Sequence, residues 1–517
     1  MSRPGRHVLT RTGRAPLPAL LVAVGVLVVA ALVLDLTAPA VAPAAPSGST
    51  EPPSPVNTEI AGLTTFRGNW SRSFIGVGPV PSAPMIRWRV PAGEGERFCS
   101  LSAEGLEGSE EKEWCGTGWT GQPNVVEGEE GLEVRIGAFD GRYHFLDAGS
   151  GRSVRPDLVT EDLAKGSATT DPDGYPLYYA GSRDGRFRVV ALDRPEPTVL
   201  WEIDALTTVD RPMWNDDWDG AALLVGDYLL EGGENGWLYV VRLRRAYDAG
   251  GLVSVDPEIV ATIPGFDDEL LTAVEQAGEI LPNGLDTRYD VSIESSVAFR
   301  DGIVYTANSG GLIQGIDISD LLTGGTSWER VFRFWTGDDT DASIVIDDEG
   351  SLYVATEYQR FGERSRELGQ LLKLDPSRPD DPVVWSLPAF EIGFEGAGGS
   401  WSTPAFVGEH VYFSTAAGRV LAVARATGDL VWELQIGAPA IGSPVVIDGT
   451  LLQGDCTGHL YAWDVSDPTV PPPLRWSLDL EDCIESTPAV WDGWIFVGTR
   501  EGYVYGVADE DAVPPAA

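Results

Sequence analysis

Lysine is almost missing from this chain: only Lys112, Lys165 and Lys373 occur in 517 residues. None sits in a glycine-rich phosphate-loop context, so nucleotide chemistry of that kind has no carrier. Histidine is equally scarce. Past the N-terminal segment only His144, His410 and His459 remain, scattered along the chain, which argues against a Ser/His/Asp site. The four cysteines, Cys99, Cys115, Cys456 and Cys483, contain no C-x-x-C pair, which argues against structural zinc. Positive charge is short overall, with 36 Lys+Arg against 78 Asp+Glu and a formal net charge of -42. Such a surface repels polyanions, so nucleic acid and anionic lipid headgroups are excluded as partners. No D-x-[DN]-x-[DN]-G calcium loop is present. GTGWTG (116–121) matches a dinucleotide fingerprint in letters alone, because it leads into QPNVV, a strand start, rather than into a helix.

One long apolar run stands out. LPALLVAVGVLVVAALVL (17–34) holds no charge and follows a basic tail of residues 1–16. At about 1.5 Å per residue it approaches the apolar thickness of a bilayer, and the basic flank favours the cytoplasmic side. The expectation is a single-pass cell-membrane anchor over 17–36 with the remainder extracytoplasmic. A cleaved signal peptide, giving a secreted protein, is the alternative offered by the small residues of TAPAVAPAA. Residues 37–61, rich in Pro, Ala and Ser, read as a spacer. Outside the cytoplasm an even cysteine count points to disulfides, paired by proximity as Cys99–Cys115 and Cys456–Cys483.

The rest is rhythmic. STPAFVGEHVYFSTAAGRVLAVARATGDLVWEL (402–434) alternates apolar and polar residues and breaks at Gly-containing turns, and variants of it recur along the chain. Each copy reads as a four-stranded antiparallel unit. Repeats of about 40–47 residues of this kind imply propeller blades. Eight copies start near Thr120, Lys165, Asp219, Glu294, Asp341, Trp401, Ile441 and Glu485. The eighth runs out after Val507, and MIRWRV (85–90) supplies the missing strand, closing the ring and removing a free sheet edge. FDDELLTAVEQAGEIL (266–281) reads as an inserted helix with Asp267 as its N-cap. Residues 509–517 form a tail.

AVARATGDLVW (422–432) resembles the Ala-x-Asp-x-x-Thr-Gly…Trp signature of PQQ-like, quinoprotein-type propeller repeats, with Ala424 where Asp is usual. Weaker copies keep Asp147, Asp193, Asp375 and Asp464, and TTFRGNWSRSFIGVGPVP (64–81) is similar to the segment that opens many such proteins. The resemblance covers residues 62–508 and implies an all-β, eight-bladed propeller following one transmembrane helix. It implies either of two activities. One is a non-catalytic binding or scaffold module, similar to the outer-membrane assembly lipoprotein, engaging a protein, peptide or glycan. The other is a quinoprotein dehydrogenase using PQQ and calcium to oxidise alcohols or sugars, with Trp401, Asp341 and Glu294 in the floor, base and ligand roles. Against the second, the chain lacks the adjacent cysteines and most of the long covering insertions of those enzymes.

The first strand of a propeller blade is innermost, so the eight start residues form one ring. Lys165, Asp219, Glu294, Asp341, Trp401 and Glu485 are the candidate ligand-binding residues at the channel mouth, with Asp338 and Asp339 just upstream of Asp341. Clustered like charges require compensation. Asp338, Asp339 and Asp341 together form an oxygen-only set suited to calcium. The same acids can instead accept hydrogen bonds from loop amides, be neutralised by Lys165, or take a small cationic ligand.

Overall fold

The computed structural model describes residues 60–103, 111–128, 131–277 and 289–513. The expected anchor over 17–36 and nearly all of the 37–61 spacer lie outside these residues. Among the described residues no helix is long and apolar enough to cross a membrane.

Eight antiparallel four-stranded sheets follow one another along the chain. Their innermost strands are Asn124–Gly128, Thr169–Thr170, Leu223–Val225, Ala298–Arg300, Val345–Ile346, Ala405–Val407, Val445–Ile447 and Ala489–Trp491, which begin blades 1 to 8. In blade 6 the strands His410–Ser414, Arg419–Ala424 and Leu430–Gln435 continue outward, with Val411, Phe413, Val420, Leu421 and Val423 fully or almost fully buried between neighbouring sheets. The expected closure holds. Met85–Val90 pairs antiparallel with Tyr503–Ala508 of blade 8, so an early strand completes the last blade and closes the ring.

The tryptophans of the outer strands show why the repeat carries one. Trp385 of blade 5 donates its indole N–H to Arg425 O of blade 6. Trp432 of blade 6 donates to Pro468 O of blade 7. In the closing strand Trp88 does the same, donating to Ala148 O of blade 1 at 2.9 Å. The Thr-Gly or Ser-Gly turn supplies the surface for these rings, because a Cβ on Gly428 would lie 2.6 Å from Trp385 and one on Gly151 2.7 Å from Trp88. Both glycines also adopt positive φ (77° and 68°), a conformation that costs other residues energy.

Residues 62–77 fill the channel. Gly62 and Leu63 pair with blade 1, Thr170 N of blade 2 donates to Thr64 O, and Gly76 and Val77 run parallel to blade 8. Between them Trp70 donates to Leu224 O of blade 3, while Phe299 N of blade 4 and Ile346 N of blade 5 donate to Trp70 O and Ser71 O. Arg67 donates to Thr403 O of blade 6 and Pro444 O of blade 7, each at 2.9 Å. This one segment therefore bonds to all eight blades. Arg67 and Arg72 are wholly buried, and burial lowers both guanidinium pKa values to about 9.

The expected disulfides Cys99–Cys115 and Cys456–Cys483 are both formed. The expected helix spans Asp268–Ala277, and Asp267 caps it by accepting Leu270 N–H at 2.9 Å. Residues 278–281 lie outside the described residues.

Candidate functional site

Every start residue named from the sequence stands four positions ahead of its blade's innermost strand, so the eight occupy equivalent places. The ring divides chemically. Blades 2 to 5 contribute Lys165, Asp219, Glu294 and Asp341, whereas blades 6 and 7 contribute Trp401 and Ile441, which share an apolar cluster with Ala397 and Ala416. Asp219, Glu294 and Asp341 line one small cavity of about 10 Å³ together with Phe66 of the plug segment.

The first two strands of a blade are antiparallel, so residues beyond the second strand return to the same mouth. Arg183, Glu234 and Glu357 each lie two positions past their blade's second strand. They join the start residues in two carboxylate triads.

The first triad is Asp217, Asp219 and Glu234. Lys165 Nζ stands 2.8 Å from Asp217, 2.8 Å from Asp219 and 3.3 Å from Glu234, and Arg183 Nε adds a second cation 2.8 Å from Asp217. Burial would lower the lysine pKa, but the carboxylates outweigh it and hold it well above the usual value. Burial likewise opposes ionisation of Asp217, yet Lys165 and Arg183 bring that carboxyl below its ordinary range. Asn215 donates to the outer oxygen of Glu234 at 2.6 Å.

The second triad is Asp339, Asp341 and Glu357. A short antiparallel pairing of Glu357 with Gly399 places it. A side chain at Gly399 would meet the Thr356 and Glu357 backbone at 2.4 to 2.6 Å, which accounts for the glycine at 399. Gln359 orients Asp339 with a 2.6 Å hydrogen bond, and Glu357 N donates to Asp339 O. Burial pushes Asp339 up to about 7, with Arg360 relieving part of the cost. Burial and the neighbouring carboxylates hold Asp341 and Glu357 well above the carboxylate range. Glu294 bridges the two triads: Ser292 donates to it at 2.9 Å, and Ser309 lies 3.4 Å from Glu294 and 3.5 Å from Asp341. Burial and then Asp219 raise Glu294 to about 8.

The other candidates sit differently. Asp338 accepts the backbone N–H groups of Asp339, Gln359 and Arg360, and Glu357 stands in the converging set beside Asp339 and Asp341. Glu485 pairs with Arg500 at 3.4 Å. Trp401 packs edge-on to Phe394, ring centroids 5.6 Å apart.

The fused rings of a quinone do not fit between Asp219, Glu294 and Asp341, where the space holds a body about the size of one water. These features define a PQQ-like repeat propeller whose channel is stoppered at one end and charged at the other. The chain belongs to the family described as outer membrane protein assembly factor BamB, which matches residues 182–512. A BamB from Moranella endobia is 30% identical over 106 residues, 20% of this chain and 26% of that protein, so the match spans about a quarter of its relative. The crystal structure of BamB from Moraxella catarrhalis superposes with a TM-score of 0.50 at 15% identity, over 79% of this chain and 100% of that one. The quinohemoprotein alcohol dehydrogenase of Comamonas testosteroni gives 0.55 at 12% identity, over 86% and 80%. At these identities the two structures share the fold.

Proposed function

We propose that this chain is a membrane-tethered, extracytoplasmic propeller that works as a non-catalytic scaffold, holding a protein partner on its outer surfaces. The observation that carries this reading is the stoppered channel. Residues 62–77 bond to every blade, and the cavity between Asp219, Glu294 and Asp341 is water-sized, so a substrate larger than that has no room there and the outer surface is the larger platform. Membership of a family described as an outer membrane assembly factor supports a role in assembly, and a rigid ring on a Pro-rich spacer suits it. In this reading residues 17–36 anchor the chain and 37–61 hold the ring off the bilayer.

Two measurements test it. Full-length protein incubated with PQQ and calcium is expected to retain no quinone absorbance and to reduce no dye with primary alcohols or aldoses. Stoichiometric quinone with turnover overturns the scaffold reading. Photocrosslinking groups placed on the blade faces in the native membrane are expected to give a discrete protein adduct, and membrane extraction with an intact N-terminus is expected to show the anchor retained.

A further inference from the structure

The two triads at the mouth have the same number of carboxylates and unequal compensation. Asp217, Asp219 and Glu234 surround a built-in ammonium, Lys165, within 3.3 Å, with Arg183 behind it. Asp339, Asp341 and Glu357 have no such group. Their nearest cation is Arg360, whose Nη2 stands 3.8 Å from Asp339 and 3.7 Å from Asp290, and whose other terminal nitrogen donates to Ser309 O. Among the described residues no ion pair reaches Asp341 or Glu357. Asp339 and Glu357 are buried to 5% and 1% exposure, and Asp339 Oδ1 and Glu357 Oε1 have no hydrogen-bond partner. A buried carboxylate oxygen left unpaired is costly unless something completes it.

We propose that Asp339, Asp341 and Glu357 bind one hard divalent cation, calcium, which does for blade 5 what Lys165 does for blade 3. The donors are all oxygen, which selects calcium or magnesium over softer metals. Their oxygens lie within 4.8 Å of one another, no farther apart than two ligands on opposite sides of one calcium ion at about 2.4 Å each. Two of the three donors are fixed before any ion arrives, Asp339 by Gln359 and Glu357 by its pairing to Gly399. Asp341 is the least buried of the three and leaves the open side for bound water. The ion ties the start of blade 5 to the end of its second strand, so its role is to rigidify the mouth.

The experiment uses full-length protein stripped of metal with chelator and titrated with calcium by calorimetry, with terbium luminescence as a second probe. One ion per chain is expected, with a rise in thermal midpoint on adding calcium. Glu357→Gln and Asp341→Asn are expected to weaken calcium by about tenfold or more and to abolish the thermal shift. Asp467→Asn, which removes an exposed acid on blade 7, is expected to bind as the parent does. No binding to the parent protein at millimolar calcium overturns the proposal, as does binding that both triad substitutions leave intact. The parent titration decides the matter even where a triad variant fails to fold. An ion bound without any quinone supports this site and leaves the scaffold reading as it stands.

Discussion

Lys165 and Asp219 belong to different blades, yet the lysine ammonium stands 2.8 Å from the Asp219 carboxylate. The pair is 11% and 4% exposed, so solvent does little to screen it. It stitches blade 2 to blade 3 at the rim of the channel. Removing the lysine leaves Asp217, Asp219 and Glu234 with Arg183 alone. Lys165→Met is therefore expected to destabilise the protein by about 3–5 kcal/mol, the usual cost of orphaning one side of a buried ion pair. Urea unfolding at neutral pH checks this, and an unchanged midpoint contradicts it.

Closure by the N-terminal strand makes a sharper prediction. Gly506 pairs with Trp88 across the seam, and a Cβ at Gly506 would lie 2.1 Å from the Trp88 ring. Gly506→Ala must displace that ring from its bond to Ala148 O. A loss of about 2–3 kcal/mol is expected from overpacking. Combining Gly506→Ala with Trp88→Leu is expected to cost less than the sum of the two single changes, because the clash is then relieved. A double-mutant cycle by urea denaturation measures the coupling.

The plug makes the third. Arg72 donates to Val297 O at 2.7 Å, to Ala221 O at 2.6 Å and to Phe66 O at 2.7 Å. Only a planar fork spans acceptors on blades 3 and 4 together with its own segment. Arg72→Met leaves three buried carbonyls unpaired, at about 1–3 kcal/mol each. Arg72→Lys is expected to recover a minority of that loss, since a single ammonium reaches fewer acceptors. Hydrogen exchange is expected to show the innermost strands of blades 3 and 4 losing protection first in the methionine variant.

The blades and the mouth were legible to different degrees. Period-two alternation and the turn glycines are local signals, so all eight starts could be placed in a common register, and Trp88 fell into the closing strand because the last repeat lacked its tryptophan. Lys165, Asp219, Glu294 and Asp341 followed from that register. Arg183, Glu234 and Glu357 did not, although the rule that finds them is simple: the residue two past the second strand returns to the mouth. Glu234 was hidden because Glu-Asn-Gly reads as turn chemistry. Asp338, beside Asp339 and Asp341 in sequence, uses one carboxylate oxygen to hold a loop through the backbone N–H groups of Asp339, Gln359 and Arg360, while its Oδ2 is buried without a hydrogen-bond partner. That loop depends on Gln359 and Arg360, more than twenty positions away, which no local pattern reveals. The plug was invisible as a plug, since its bonds reach blades up to several hundred residues distant.

His144 gives the pH dependence. Its ring is buried, stacked 4.2 Å from Phe98, with Asp140 3.3 Å from one nitrogen and Asp157 3.2 Å from the other. Arg142 also faces both aspartates, at 3.8 and 3.6 Å. Burial alone would lower the imidazole pKa, but hydrogen bonds to the two carboxylates outweigh it and raise it to about 9. A group whose pKa is raised on folding contributes its full stabilisation below the unfolded value of about 6.5 and loses it as pH climbs through the folded one. Stability is therefore expected to fall between about pH 6.5 and pH 9, by about 3 kcal/mol from this residue. Glu485, pushed up to about 7 by burial despite Arg500, acts in the same direction over a lower window, from its unfolded value of about 4.3 through 7. The two separate by mutation: His144→Gln is expected to reduce the slope above pH 6.5 and leave the lower slope, while Glu485→Gln does the reverse, each on top of the slope that Glu294, raised to about 8, and Asp339, raised to about 7, add in the same direction. Denaturant midpoints measured across pH 4.5–9.5 decide it, and a profile that His144→Gln leaves unchanged above pH 6.5 would show that the imidazole carries no proton between its two carboxylates.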